Sequence, residues 1–277
     1  MARRSSATHT ALILAPILAL ALGAIAPASA QTPAPAPAPS AAAAPPPAPA
    51  AAPFSKSCQV GATSIADESP LPNVAAVLAQ RKTLRILTIG ASPGRNAQGS
   101  YSGLIESILE KALKGIDVVM INRGVSGELA ANAAHRMKNE VALEEPDLVL
   151  WQVGTNDALA YVSKDEFAAT LKDQIAWLKA HKVDVVLVGL QFASQMLRDA
   201  HYAEIRDTLR KVAAEENVIV VRFYEAMQIV NQAQREGGAS AEEFERSESG
   251  SNCLAQYVAR AITLGVFAKN LPRRPQR

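Results

Sequence analysis

The sequence predicts an α/β protein built on a flavodoxin-like doubly wound parallel sheet of about five strands, in a three-layer α/β/α sandwich. Three observations lead there. Short apolar runs rich in Val, Ile and Leu recur from Leu84 to Phe223, amphipathic helical patterns fill the intervals between them, and glycine- and asparagine-containing loops follow several of the runs. Runs of four to eight apolar residues alternating with helices describe strands buried on both faces.

The elements can be justified in order. Met1–Ala30 begins with Arg3 and Arg4, continues as an apolar run from Ala11 to Ile25, and ends on Ala28-Ser29-Ala30. This is the form of a secretory signal peptide cleaved after Ala30, which predicts export to the periplasm or the exterior. Residues 31–53 are almost wholly Ala and Pro and predict an extended spacer, because proline fixes φ and removes a hydrogen-bond donor. Residues 54–277 form the domain proper. Its strands are expected at Leu84–Gly90, Ile116–Ile121, Asp147–Val153, Val183–Leu190 and Val218–Phe223. Helices are expected at Tyr101–Leu113, Glu128–Val141, Asp165–His181, Asp199–Glu216, Tyr224–Glu236 and Ser251–Lys269. Trp151 falls inside a strand and reads as core, whereas Trp177 falls on an amphipathic helix and is expected to pack on the sheet.

Charge and cysteine content narrow the function. The chain has 28 Lys and Arg against 26 Asp and Glu, and the whole surplus is Arg3 and Arg4. The domain itself is neutral, so nothing draws it to nucleic acid or to an anionic membrane. After signal removal no segment is long enough to span a bilayer. The two cysteines, Cys58 and Cys253, stand at opposite ends of the domain. In an exported protein they can oxidise to one bridge that closes most of the domain, the alternative being two separately buried thiols. No Walker, dinucleotide, EF-hand or zinc-ligand spacing occurs.

Three loops at successive strand ends carry chemistry. Gly90-Ala91-Ser92 places a hydroxyl after the first strand, Asn122-Arg123-Gly124 a bare backbone N–H after the second, and Gly154-Thr155-Asn156-Asp157 a side-chain amide after the third. Singly, each reads as turn chemistry. Together they hold the inventory needed to attack an ester carbonyl and hold the resulting oxyanion.

Residues Leu84 to Ile262 resemble the SGNH hydrolases, the GDSL esterase and lipase family, in the order of their blocks. The resemblance implies that Ser92 is the nucleophile, with its own N–H, the Gly124 N–H and the Asn156 side chain as oxyanion donors. It also implies hydrolysis through an acyl-enzyme on a three-layer fold, without metal or cofactor. The match at Gly154-Thr155-Asn156-Asp157 is the most specific, and Gln191 and Asp157 are further candidates to line the substrate site. The departures are equally definite. Ala91 stands where the family has Asp, and no histidine follows His201. The family's Asp-x-x-His falls on Glu242 and Glu245. Glu245 is thus the positional replacement for the base, although an unperturbed Glu, with a pKa of about 4.3, suits that task poorly. His201, after the fourth strand, is a second candidate; His135 and His181 lie on helices and are poorer ones. The expected activity is an exported esterase for small acyl or acetyl esters. The alternative is an impaired pseudo-hydrolase that binds an envelope glycan or ester ligand.

Overall fold

The computed structural model of the 277-residue chain describes residues 54–60, 65–66, 69–90, 101–192, 194–236 and 248–268. The chain divides into two units, Met1–Pro46 and Pro47–Arg277, and every described residue belongs to the second. The expected signal and spacer lie outside the described residues, as do Ser92, Glu242 and Glu245.

Five strands form one sheet: β1 Thr83–Gly90, β2 Asp117–Gly124, β3 Leu148–Gln152, β4 Asp184–Val188 and β5 Ile219–Val221. Their order is β2-β1-β3-β4-β5 and every pairing is parallel. The order reverses between β1 and β3, and in open parallel sheets ligands bind outside the C-terminal strand ends at that switch. The helices are α1 Pro72–Gln80, α2 Tyr101–Ala112, α3 Ala130–Glu144, α4 Thr155–Leu159, α5 Lys164–Ala180, α6 Ala200–Glu215, α7 Phe223–Glu236 and α8 Glu248–Phe267. α8 packs on α1 and α2, α5 packs on α3 and α6, and β5 is met by one helix of each group, α8 and α6. This is the expected three-layer arrangement. β3 and β4 are buried along their whole length, and Trp151 is fully buried, as its place in a strand predicts.

Several boundaries differ from the sequence reading, for local reasons. β2 runs three residues past the expected Ile121 and takes in Asn122-Arg123-Gly124, because these pair in register with Thr88, Ile89 and Gly90 of β1. The ladder outweighs the poor strand propensity of Asn and Gly. α1 was not foreseen; its proline sits at the first helical position, where the missing N–H costs nothing. Thr155–Leu159, read as a loop, closes one helical turn. The caps behave as their residue types dictate. The Ser163 side chain accepts from Glu166 N at 3.3 Å and Asp199 Oδ1 from Tyr202 N at 2.8 Å, opening α5 and α6. α3 stops at Glu145, which adopts a left-handed φ of 43° immediately before Pro146. Trp177 is only partly buried, stacking on His181 at 3.9 Å with Lys138 of α3 over its ring, so it fills a helix–helix seam.

Cys58 and Cys253 form a disulfide across a sequence separation of 195 residues. It joins the first described turn, Lys56–Cys58, to α8. Both cysteines are fully buried, the Tyr257 hydroxyl donates to Cys58 O at 3.0 Å, and Phe54 meets the Tyr257 ring edge-on at 5.2 Å. Burial pushes the Tyr257 phenol well above its ordinary range. No helix among the described residues is long and apolar enough to cross a membrane.

Candidate active site

The C-terminal ends of the three central strands are aligned by the sheet register. Gly124 of β2 lies opposite Gly90 of β1, and Gly90 lies opposite Gln152 of β3. Past the strands, Val125 N donates to Gly90 O at 3.0 Å, so the chain leaving β2 stays tied to β1. Gly90 is required here. Its φ is +91° and an added Cβ would come within 2.1 Å of the Gln152 carbonyl oxygen, which no side chain tolerates. Gly154 is constrained in the same way, with φ +102° and Leu190 in the space a Cβ would need.

Gly124 presents its N–H at this edge. Asn122, two residues earlier, accepts that N–H on Oδ1 at 3.0 Å, while the Thr88 hydroxyl donates to the same oxygen at 3.2 Å. The first is an Asx turn, in which a short side chain bonds the backbone two residues on. Asn122 is exposed. An oxyanion arriving at Gly124 would exchange a neutral acceptor for a charged one, which forms roughly twice as strong a hydrogen bond.

Asn156 lies in the first turn of α4. One hydrogen of its Nδ2 goes to Glu128 O at 3.0 Å. The amide carries two, so the second has no partner among the described residues. Asp157, next in sequence, is 2% exposed. Its Oδ1 accepts Ala130 N at 2.8 Å and its Oδ2 accepts Gly154 N at 3.2 Å. The carboxylate thus joins the start of α3 to the start of α4, and its acceptors face the protein. Burial pushes the Asp157 carboxyl above its ordinary range, and the Ala130 and Gly154 amides oppose the rise. Gln191 follows β4 and is held by backbone: its N donates to Thr155 Oγ1 at 3.0 Å and its O accepts the Tyr202 hydroxyl at 2.6 Å.

The structure therefore brings Gly124, Asn156, Asp157 and Gln191 to one edge of the sheet, by way of the elements β2, α4 and the segment after β4. Asn122, Glu128 and Arg136 join them without having been singled out from the sequence. The Asn122-x-Gly124 spacing was the available signal for the first; the other two act through α3 packing against the β2 end. Of the histidines, His135 is exposed on α3 and His181 Nδ1 lies 2.7 Å from Trp177 O. His201 stacks on Tyr161 at 5.2 Å and its Nδ1 lies 3.5 Å from Glu204 Oε2. Among the described residues no cluster of three or more His, Cys, Asp or Glu side chains could hold a metal ion.

A five-stranded parallel sheet with Gly124 and Asn156 near its switch point fits the SGNH/GDSL class of ester hydrolases, and the comparisons show that class. The chain belongs to the non-GDSL lipase-like family, whose model matches residues 57–268. It is 26% identical over 151 residues to an arylesterase of Vibrio mimicus, spanning 53% of this chain and 74% of that protein. It is also 26% identical over 138 residues to the esterase TesA of Pseudomonas aeruginosa, spanning 50% of this chain and 67% of the relative. In fold it is similar to the crystal structure of TesA, with a TM-score of 0.54 at 22% identity over 64% of this chain and 97% of that one. It is likewise similar to Axe2, an acetylxylan esterase of Geobacillus stearothermophilus, with a TM-score of 0.53 at 18% identity over 65% and 94% of the two chains.

Proposed function

We propose that the protein is an exported serine esterase that cleaves small acyl or acetyl esters through an acyl-enzyme. One observation carries the reading: a backbone N–H at Gly124, held by Asn122 Oδ1, and a side-chain amide at Asn156, held by Glu128 O, lie at the C-terminal ends of β2 and β3, on either side of β1 and beside the sheet's switch point. Ser92 follows Gly90 by two residues in the chain. In the proposed reaction Ser92 Oγ attacks the ester carbonyl, and the negative charge that develops on the carbonyl oxygen is held by the N–H groups of Ser92 and Gly124 and by Asn156 Nδ2. Such donors act because they are in place before the charge appears. The alcohol departs with a proton, and water then releases the acid from Ser92.

Glu245 takes the serine proton in this scheme, as the residue in the family's histidine position. Its weakness as a base predicts slow turnover, with a rate that rises as pH deprotonates it. Export is supported by the Cys58–Cys253 bridge, since disulfides persist in oxidising compartments. It agrees with a signal at residues 1–30 and a spacer at 31–53 ahead of the domain.

The test is a fluorophosphonate probe together with p-nitrophenyl acetate hydrolysis by residues 31–277, against a Ser92→Ala control. Labelling and hydrolysis that vanish in the control support the esterase; neither above the control rejects it. The second reading, a ligand-binding pseudo-hydrolase, is favoured by the absence of any histidine after residue 201. Loss of the base costs about a hundredfold to ten-thousandfold in rate. Glu245→His distinguishes the two: a rise in kcat supports a hydrolase limited by its base, and binding of an acetylated oligosaccharide without turnover in either form supports the binder.

A further inference from the structure

The Gly124 N–H belongs to the peptide unit whose carbonyl is Arg123 O, and that oxygen accepts from Arg136 Nη2 at 2.7 Å. Arg136 is in turn gripped by Glu128. Its Nε donates to Glu128 Oε1 at 3.0 Å and its Nη2 to Oε2 at 2.9 Å, while Nη1 reaches Glu140 Oε1 at 3.2 Å. The Glu128 side chain is 6% exposed and that of Arg136 27%, so this fork-to-fork pair is partly withdrawn from water. The backbone carbonyl of the same Glu128 receives Asn156 Nδ2. One guanidinium thus reaches Gly124 through a single peptide unit, and Asn156 through a single residue.

We infer that the Arg136–Glu128 pair is a positioning device for the oxyanion site: it sets the separation of the Gly124 and Asn156 donors and strengthens the Gly124 N–H. The inference rests on the esterase reading and extends it to residues that touch no substrate. Two physical effects are at work. A cationic donor on a peptide carbonyl polarises that peptide, so its N–H becomes a better donor on the other side. The bidentate pair also fixes Arg136 against the segment before α3, and the Nη2 bond to Arg123 O ties both to the β2 end; preorganised donors lose their advantage when displaced by a fraction of an ångström. An ordinary surface ion pair, worth at most about 1 kcal/mol, would do neither.

The experiment compares Arg136→Met, Arg136→Lys and Glu128→Gln with Asp147→Asn, which weakens an ion pair at the opposite end of the sheet. The readouts are kcat and KM on p-nitrophenyl acetate, thermal melting, and the ¹⁵N–¹H shifts of the Gly124 amide and the Asn156 side chain. Arg136→Met is expected to lower kcat about 10- to 100-fold with KM within about twofold, less than the full loss of a donor. Both shifts should move. Arg136→Lys keeps the charge but not the fork and is expected to recover part of kcat. Glu128→Gln should fall between wild type and Arg136→Met. Asp147→Asn should melt earlier with kcat unchanged. The inference is overturned if kcat and both shifts ignore Arg136, or if kcat falls only in proportion to melting temperature, as strongly in Asp147→Asn as in Arg136→Met. If Arg136→Met does not fold, Arg136→Lys and Glu128→Gln carry the same comparison. A wild-type protein without esterase activity whose shifts still respond to Arg136 would reject the esterase and keep the clamp; an active enzyme indifferent to Arg136 would reject the clamp alone.

Discussion

The two ends of the sheet use the same residue types to opposite effect. At the N-terminal end, Asp184 is 8% exposed and accepts Asn73 N and Val74 N on Oδ2, each at 2.9 Å, and Asn73 Nδ2 on Oδ1 at 2.8 Å. It fastens the start of α1, where a helix favours negative charge. Asp147 accepts Arg85 N at 2.9 Å and pairs with Arg81. These acids consume donors. At the C-terminal end Asp157 does the same for the Ala130 and Gly154 amides, but around it stand donors with only a replaceable claim on them: Gly124 N–H on the exposed Asn122, and one hydrogen of Asn156 on Glu128. Scaffold and site differ less in composition than in whether hydrogen-bonding capacity is closed within the fold or kept exchangeable at its edge.

Mutations at each end should therefore separate stability from rate, and the contrast can be broken by finding them coupled. Asn156→Ala is expected to have the largest effect, a fall of about 10²–10³ in kcat with only a small loss of stability, read by steady-state kinetics and urea titration. If stability falls as far as rate, the two ends are not distinct. Removing the bridge with Cys58→Ser and Cys253→Ser should cost about 3–5 kcal/mol in denaturant unfolding, since the loop it closes is long. Activity per folded molecule should not change. Asp184→Ala leaves two backbone amides at the start of α1 unserved and should cost about 2–3 kcal/mol, again without change in kcat.

Asp157→Asn sharpens the comparison through pH. Burial raises the folded pKa of Asp157, so the folded protein keeps this proton to a higher pH than the unfolded chain does. Its contribution to stability therefore falls as pH rises from about 4 through the folded value. The mutant should be less stable by about 1–3 kcal/mol at low pH. The gap should narrow as pH rises, measured by urea titration at successive pH values. The smallest effect is expected from His201→Ala, with kcat within about twofold of wild type, since the ring is engaged with Tyr161 and Glu204. A hundredfold loss would make His201 the base in place of Glu245.

Much of the fold was legible because its signal is local. The apolar runs at Asp147, Val183 and Val218 each contain their strand and the run at Leu84 covers all of β1 but Thr83, since strands buried on both faces are largely apolar. The end of β2 was not legible: Asn122, Arg123 and Gly124 carry loop propensities and are strand only because β1 pairs with them. α1 was missed because nine residues beginning at a proline announce a helix weakly, and what holds it is an aspartate more than a hundred residues away. The site divides along the same line. Gly124 and Asn156 could be singled out from their blocks, and the structure places them at the C-terminal ends of β2 and β3, whereas Ser92 and Glu245 lie outside the described residues.

By itself, the sequence determined the strand and helix alternation, the class of site, and the two cysteines able to close the domain, because periodicity and short motifs depend only on neighbours in the chain. Only the tertiary structure decided that Arg136, a helix residue with an ordinary i,i+4 partner in Glu140, grips Glu128 and the Arg123 carbonyl, and that Asp157 faces inward to hold two backbone amides. Those roles come from α3 reaching the β2 end at Arg123 and from the starts of α3 and α4 meeting at Asp157, and hydrogen bonds between distant segments follow from packing, which no local pattern encodes.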